Sequence, residues 1–165
     1  MKLSICIPTY NRPEHLDNCL NSIFISKKNQ SKFKFEVCIS DNSTNSTSKN
    51  ISKKYYSKLN INYKKNNNNI GYIKNYIKVL KMAKGEFAWV IGDDEILKPN
   101  SLKILSNHFT QNKNKNIDFI FTNCNFLENN FFDKFPKPFN SKNLPKKMKT
   151  MSKLKKNKIT NFFEL

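Results

Sequence analysis

Short apolar runs alternate with segments of helical period along residues 1 to about 128, and this alternation constrains the fold more than any other feature. "LSICIPT" is almost continuously apolar and reads as a strand buried on both faces. "RPEHLDNCLNSIFIS" follows, with Pro13 in a first helical turn and Leu16, Leu20, Ile23 and Phe24 on one face. "FKFEVCIS" is a second strand that runs into the turn residues Asp41, Asn42 and Ser43. "STSKNISKKYYSKL" predicts a polar helix with few anchors, and "INYKK" a weak third strand. "KKNNNNIG" is a loop in which Gly71 can take a positive φ. "YIKNYIKVLKMA" returns to helical period, with Ile73, Ile77, Leu80 and Met82 expected to face the core and Gly85 to end the helix. "FAWVI" is the fourth strand. Pro99 opens a further helix carrying Leu102, Leu105 and Phe109, and "IDFIFTNCNFL" is the fifth strand.

Strand–helix alternation of this kind predicts an α/β domain with a mostly parallel sheet and right-handed crossovers. In such sheets ligands gather outside the carboxyl ends of the strands. That rule puts Thr9 and Tyr10, Asp41 and Asn42, and Asp93 to Glu95 along one edge. After residue 128 the pattern lapses into a Lys- and Pro-rich segment, 129–165, with only a helical hint at "ITNFFEL". The organisation expected is a domain over 1–128 followed by an excursion that a further segment would complete.

Composition narrows the class. Hydrophobic residues make up 38% of the chain, with 14 Phe and 6 Tyr, enough for a packed core. The net charge of +18 is carried almost wholly by Lys, Arg12 being the single arginine. Readers of nucleic-acid bases favour arginine's planar fork, and no specific nucleic-acid partner is expected here. Lys enriched together with Asn and Ile is the mark of an A- and T-rich gene; an anionic partner, a membrane surface or a phosphorylated substrate, is the other reading. Cys6, Cys19, Cys38 and Cys124 form no C-x-x-C pair and read as core residues of a reducing compartment. The N-terminal apolar run is too short for a secretory signal, and no stretch approaches the ~20 apolar residues of a membrane span. A cytoplasmic location is expected, with peripheral contact on the inner face of the membrane open to so basic a chain.

The chemistry concentrates in "GEFAWVIGDDEILKP", where an apolar strand runs straight into Asp93, Asp94 and Glu95. Three explanations stand. The acids could complement the positive end of the helix after Pro99. They could form a solvated turn. Or they could hold a hard divalent cation, Mg2+ or Mn2+, which takes one or two carboxylates and completes its shell with phosphates and water. Asp41 has two readings as well: a hydrogen-bond acceptor for a nucleobase edge, or an Asx-turn residue of "DNSTNS". Tyr10 offers a stacking face. Lys74 and Asn75 are either the polar side of a helix or groups aimed at phosphates.

Taken in order, "LSICIPTYNRPEHLDNCLNSI", "FEVCISDNSTNST" and "NNNNIGYIKNYIKVLKMAKGEFAWVIGDDEILKPNSL" resemble the family 2 glycosyltransferases of GT-A fold, from Leu3 to about Phe126. The resemblance implies a nucleotide-diphospho-sugar donor at the sheet edge, with Mn2+ or Mg2+ bridging the diphosphate and the acidic turn. By position, Thr9 and Tyr10 would line the base and ribose pocket, and Asp41 would read the base, often uracil in this family. Lys74 stands where the family commonly has Arg near the diphosphate. Asp93 would hold the turn or the donor, Asp94 would face ribose or metal, and Glu95 falls at the metal-ligand position, usually Asp. Glu95 is one methylene longer, and Lys74 lacks the bidentate fork of Arg. The function implied is transfer of a sugar, with inversion, to a glycan or lipid-linked acceptor of a bacterial cell surface. Inversion needs a general base in the acceptor half, yet Glu128, Asp133 and Glu164 lie in no recognisable base motif. The catalytic base is therefore unassigned. A truncated acceptor half is expected, with donor binding but no catalysis as the alternative function.

Overall fold

The computed structural model describes residues 2–30, 32–113, 117, 120, 122–128 and 130–151. In chain order they form β1 (Leu3–Thr9), α1 (Pro13–Lys28), β2 (Phe35–Asp41), α2 (Thr47–Lys53), β3 (Ile61–Lys65), α3 (Tyr72–Lys81), β4 (Phe87–Val90) and α4 (Ser101–Gln111). A short pair, β5 (Asn125–Phe126) and β6 (Lys149–Thr150), follows. The first four strands make one parallel sheet in the order β3-β2-β1-β4. The alternation therefore predicts the architecture correctly, and the boundaries of β1 to β4, α1 and α3 fall within a few residues of those expected, while α2 stops at Lys53, short of the expected Leu59.

The central strands β1 and β2 are buried nearly throughout, as their apolar sequences require. Their side chains alternate between two unequal layers. Leu3, Ile5 and Ile7, with Phe35, Val37 and Ile39, face α1, whose Leu16, Cys19, Leu20 and Ile23 close the main core together with Tyr55, Leu59, Leu97 and Leu102. Each such side chain taken fully from water contributes about 1.5–3 kcal/mol. The opposite layer is small and partly polar: Cys6 and Cys38 meet Val79 and Met82 of α3. Beside them the Ser4 hydroxyl donates to Glu36 Oε1 at 2.7 Å, and the Lys84 N–H reaches the same oxygen at 2.8 Å.

That second layer corrects the expected orientation of α3. Asn75, Val79 and Met82 are its buried positions, while Ile73, Ile77 and Leu80 are exposed. A sheet face made of Ser, Cys and Glu has little apolar area to offer, so the helix meets it with its smaller and polar side. Met82 alone of the four expected core positions is buried.

Further corrections concern the later elements. α4 begins at Ser101, two residues after Pro99, and buries Leu102 and Phe109 as expected. The fifth strand was expected to span 117–127. Only Asn125–Phe126 of it is strand, pairing antiparallel with Lys149–Thr150 outside the main sheet; residues 117, 120, 122–124 and 127 lie outside any strand, and 118, 119 and 121 lie outside the described residues. "ITNFFEL" also lies outside them. Phe139, within the Lys- and Pro-rich segment, is buried against α1: Asn18 Oδ1 accepts from its N–H at 2.6 Å, and Asn21 Nδ2 donates to its carbonyl at 2.9 Å. Cys6, Cys19 and Cys38 are buried and Cys124 half-buried, all as free thiols.

Candidate functional site

Parallel pairing brings the ends of β1, β2 and β4 to one edge. Thr9 is the register partner of Asp41, and the Ile91 N–H continues the β4 pairing onto the Cys6 carbonyl at 3.1 Å. The acidic turn then falls beside the end of β1. Thr9 Oγ1 donates to Asp93 Oδ2 at 2.7 Å, and Asp93 is only 5% exposed. Burial raises the Asp93 pKa, because a desolvated carboxylate loses its hydration; the Thr9 hydrogen bond and the Arg12 charge oppose that shift.

Arg12, on the loop after β1, places Nη1 3.2 Å from Asp94 Oδ2 and 3.6 Å from Asp93 Oδ1. Asp94 and Glu95 themselves are exposed. The turn closes with the Glu95 N–H on the Gly92 carbonyl at 3.2 Å. Gly92 leaves room for the Asp94 carboxylate: a Cβ there would lie 2.5 Å from Asp94 Oδ1 and would push that side chain aside. Burial also raises the Glu95 pKa, a backbone hydrogen bond at Gly92 opposes it, and repulsion from Asp94 adds to it. Beneath the turn Cys19 supplies an apolar floor, its thiol pushed well up by burial and then by the acids above.

The second half of the edge is held by amides. Asp41 is fully buried; Oδ1 accepts from the Ser43 N–H at 2.7 Å and Oδ2 from the Tyr63 hydroxyl. The first contact is the Asx turn that the sequence allowed. Asn75, in the first turn of α3, accepts at Oδ1 from Ser40 Oγ at 2.7 Å and from Asn66 Nδ2 at 3.0 Å. Its own Nδ2 donates to the Ser40 carbonyl at 3.0 Å and to the Thr9 carbonyl at 3.4 Å. Asn66 Nδ2 also reaches Asn42 Oδ1 at 2.5 Å, and Asn42 Nδ2 reaches the Gly71 carbonyl at 3.2 Å. Gly71 holds φ at +80°, the turn into α3 that its lack of a side chain permits.

Of the residues singled out by sequence, Thr9, Asp93 and Asp94 meet in one group, and Glu95 is on the same turn. Asp41 sits a strand away with Tyr63. Tyr10 is 45% exposed beside Thr9, and Lys74 is exposed on α3. Thr9 and Asp41 are buried and already hydrogen-bonded within the chain, so a ligand group could reach Asp41 Oδ2 only where the Tyr63 hydroxyl makes way. Asn75 is a buried brace, not a phosphate-facing polar group. Arg12, Tyr63 and Asn66 escaped the sequence reading. Arg12 had a signal, as the single arginine in a Lys-rich chain, beside "PTYN"; Tyr63 and Asn66 had none beyond their place at the end of a weak strand.

The structure separates the three acids. The first turn of α4, which begins at Ser101, holds none of them. Asp93 is buried and hydrogen-bonded, while Asp94 and Glu95 are exposed, as a solvated turn leaves them. Among the described residues no three acidic, histidine or cysteine side chains gather into a closed metal cage. Asp94 and Glu95 nevertheless present hard oxygen donors on an anchored turn. That donor set fits a Mg2+ or Mn2+ ion sharing its shell with phosphates and water.

Comparison with known proteins gives the family and the fold. The family model described as "Glycosyl transferase family 2" matches residues 4–162. The abequosyltransferase RfbV of Salmonella typhimurium is 38% identical over 112 residues, 66% of this chain and 32% of that one. A GalNAc(5)-diNAcBac-PP-undecaprenol beta-1,3-glucosyltransferase of Campylobacter jejuni is 33% identical over 132 residues, 74% of this chain and 38% of that one. The crystal structure of Staphylococcus aureus TarS 1-349 in complex with UDP-GlcNAc superposes with a TM-score of 0.60 at 30% identity, covering 68% of this chain and 32% of that one. The chain thus spans about a third of the length of these relatives. The fold is GT-A in part, and the chain belongs to glycosyl transferase family 2.

Proposed function

We propose that this chain binds a nucleotide-diphospho-sugar, a UDP-sugar by preference, as the donor half of an inverting, metal-assisted glycosyltransferase. The observation that carries the reading is the convergence of three parallel strand ends on the Thr9–Asp93 hydrogen bond, with Asp94 and Glu95 presented outward. In this reading Tyr10 stacks on the base. Asp41 accepts from a base N–H on Oδ2, and the Tyr63 hydroxyl shares or yields that oxygen. Lys74 brings charge to the diphosphate, and Asp93, anchored by Thr9, fixes the turn. Asp94 and Glu95 hold Mn2+ or Mg2+, which supplies charge neutralisation to the departing diphosphate when bound. The family match and the UDP-GlcNAc complex of the staphylococcal relative support the donor class.

The acceptor is read as a glycan or lipid-linked precursor of the cell surface, since the Campylobacter relative is named for an undecaprenol-linked one. A cytoplasmic location with peripheral membrane contact goes with that acceptor; among the described residues no helix is long and apolar enough to cross a membrane. Segment 129–165 would lead into the acceptor side. A second reading, donor binding without transfer, is favoured by Glu128 and Asp133: both are exposed, and neither is bonded to the acidic turn. Incubation with UDP-GlcNAc and Mn2+ tests the pair. Release of UDP that depends on Asp94 and Glu95 supports transfer chemistry; tight UDP binding with no release selects the second reading, and no binding rejects both.

A further inference from the structure

We propose that the outward face of α3 docks this chain on an anionic lipid surface. The helix is amphipathic about the side turned away from its own sheet. Ile73 is 71% exposed, Ile77 47%, Leu80 37% and the neighbouring Tyr72 74%. At 100° per residue, Ile73, Ile77 and Leu80 lie within one narrow arc, roughly opposite the buried Asn75, Val79 and Met82. Single exposed apolar residues are ordinary, as Ile104 on α4 is. Several on one helical face mark an interaction surface.

Charge selects the occupant. Lys74, Lys78 and Lys81 all lie along one edge of the apolar arc, with Tyr72 and Tyr76 toward the other; Lys84 follows, and no acid occurs from Tyr72 to Lys84. An apolar strip edged by lysines matches the interface between acyl chains and anionic headgroups, with the lysine stems lying along the hydrocarbon and the ammonium groups in the headgroup layer. The net charge of +18 pulls in the same direction. Position adds a consequence. Asn75 in the first turn of α3 is bonded to the Thr9 carbonyl, so the helix starts at the strand ends that carry the acidic turn. Docking along α3 would hold that turn at the membrane surface, where a lipid-linked acceptor resides. This consequence rests on the proposed function; the docking itself does not.

The test is sedimentation of the whole chain with vesicles of phosphatidylglycerol and phosphatidylcholine, beside vesicles of phosphatidylcholine alone, at low and physiological salt. Partition onto the anionic vesicles is expected, reduced about tenfold by Ile73→Ser with Ile77→Ser. It should also fall severalfold with Lys78→Gln and Lys81→Gln, and stay unchanged with Ile104→Ser. Because these side chains are exposed, apart from the half-buried Lys78, urea midpoints should match the parent closely. Equal binding by the Ile73/Ile77 variant would reduce the effect to diffuse charge and overturn the proposal. Absence of vesicle binding would overturn it too. So would a dimer that the same variant splits, which would give the face to a second copy of the chain. None of these outcomes depends on whether UDP binds.

Discussion

Asn75 joins the end of β1, the end of β2, the loop after β3 and the start of α3 through one buried amide. Replacing it with Ala strands several buried partners, and Asn75→Ala should cost about 2–3 kcal/mol in urea unfolding. Gly92→Ala should separate fold from site: the clash is with the mobile end of Asp94, so stability should fall by less than about 1 kcal/mol. Metal-dependent nucleotide binding should weaken severalfold as Asp94 is displaced. Arg12 and Asp94 are both more than half exposed, so their pair is worth at most about 1 kcal/mol. Arg12→Gln should therefore tighten Mn2+ binding by up to about fivefold, read by electron paramagnetic resonance; a loosening would make Arg12 a support of the metal instead. The acids were legible in sequence because three in a row after an apolar strand violate ordinary patterning. The brace was not, because an Asn in a helical run carries no mark of the three carbonyl and hydroxyl groups it will meet.

Among the elements, α3 shows where periodicity stops being informative. Its 3.6-residue pattern predicts a helix, and a helix forms; the pattern does not say which side finds the sheet. The answer lay in the alternate residues of β1 and β2, Ser4, Cys6, Glu36, Cys38 and Ser40, too small and polar to seat Ile73, Ile77 and Leu80. Val79→Asp should thus cost about 4 kcal/mol or more, since it buries an unpaired charge, while Ile77→Ser should stay within about 0.5 kcal/mol. Urea denaturation of the two variants reads both; the reverse ranking would restore the orientation expected from the sequence. α1 was legible outright, because its Leu16, Leu20 and Ile23 face a sheet layer of matching Leu, Ile and Val.

At the scale of the whole molecule, alternation of strand and helix sufficed to predict the parallel sheet and to bring the end of β1, the end of β2 and the acidic turn to one edge. Beyond residue 128 neither periodicity nor turn chemistry was strong enough to predict β6 or the seating of Phe139 on α1, whose partners Asn18 and Asn21 lie 121 and 118 positions away. The central claim is that the carboxyl edge of β1, β2 and β4 holds a nucleoside diphosphate through a divalent cation. Calorimetric titration of UDP, with and without Mn2+, on the parent chain and on Asp94→Ala with Glu95→Ala tests it directly. The account predicts that Mn2+ strengthens UDP binding at least tenfold, about 1.4 kcal/mol, in the parent and leaves the double variant unchanged. UDP binding that ignores Mn2+ and survives in the double variant would contradict it.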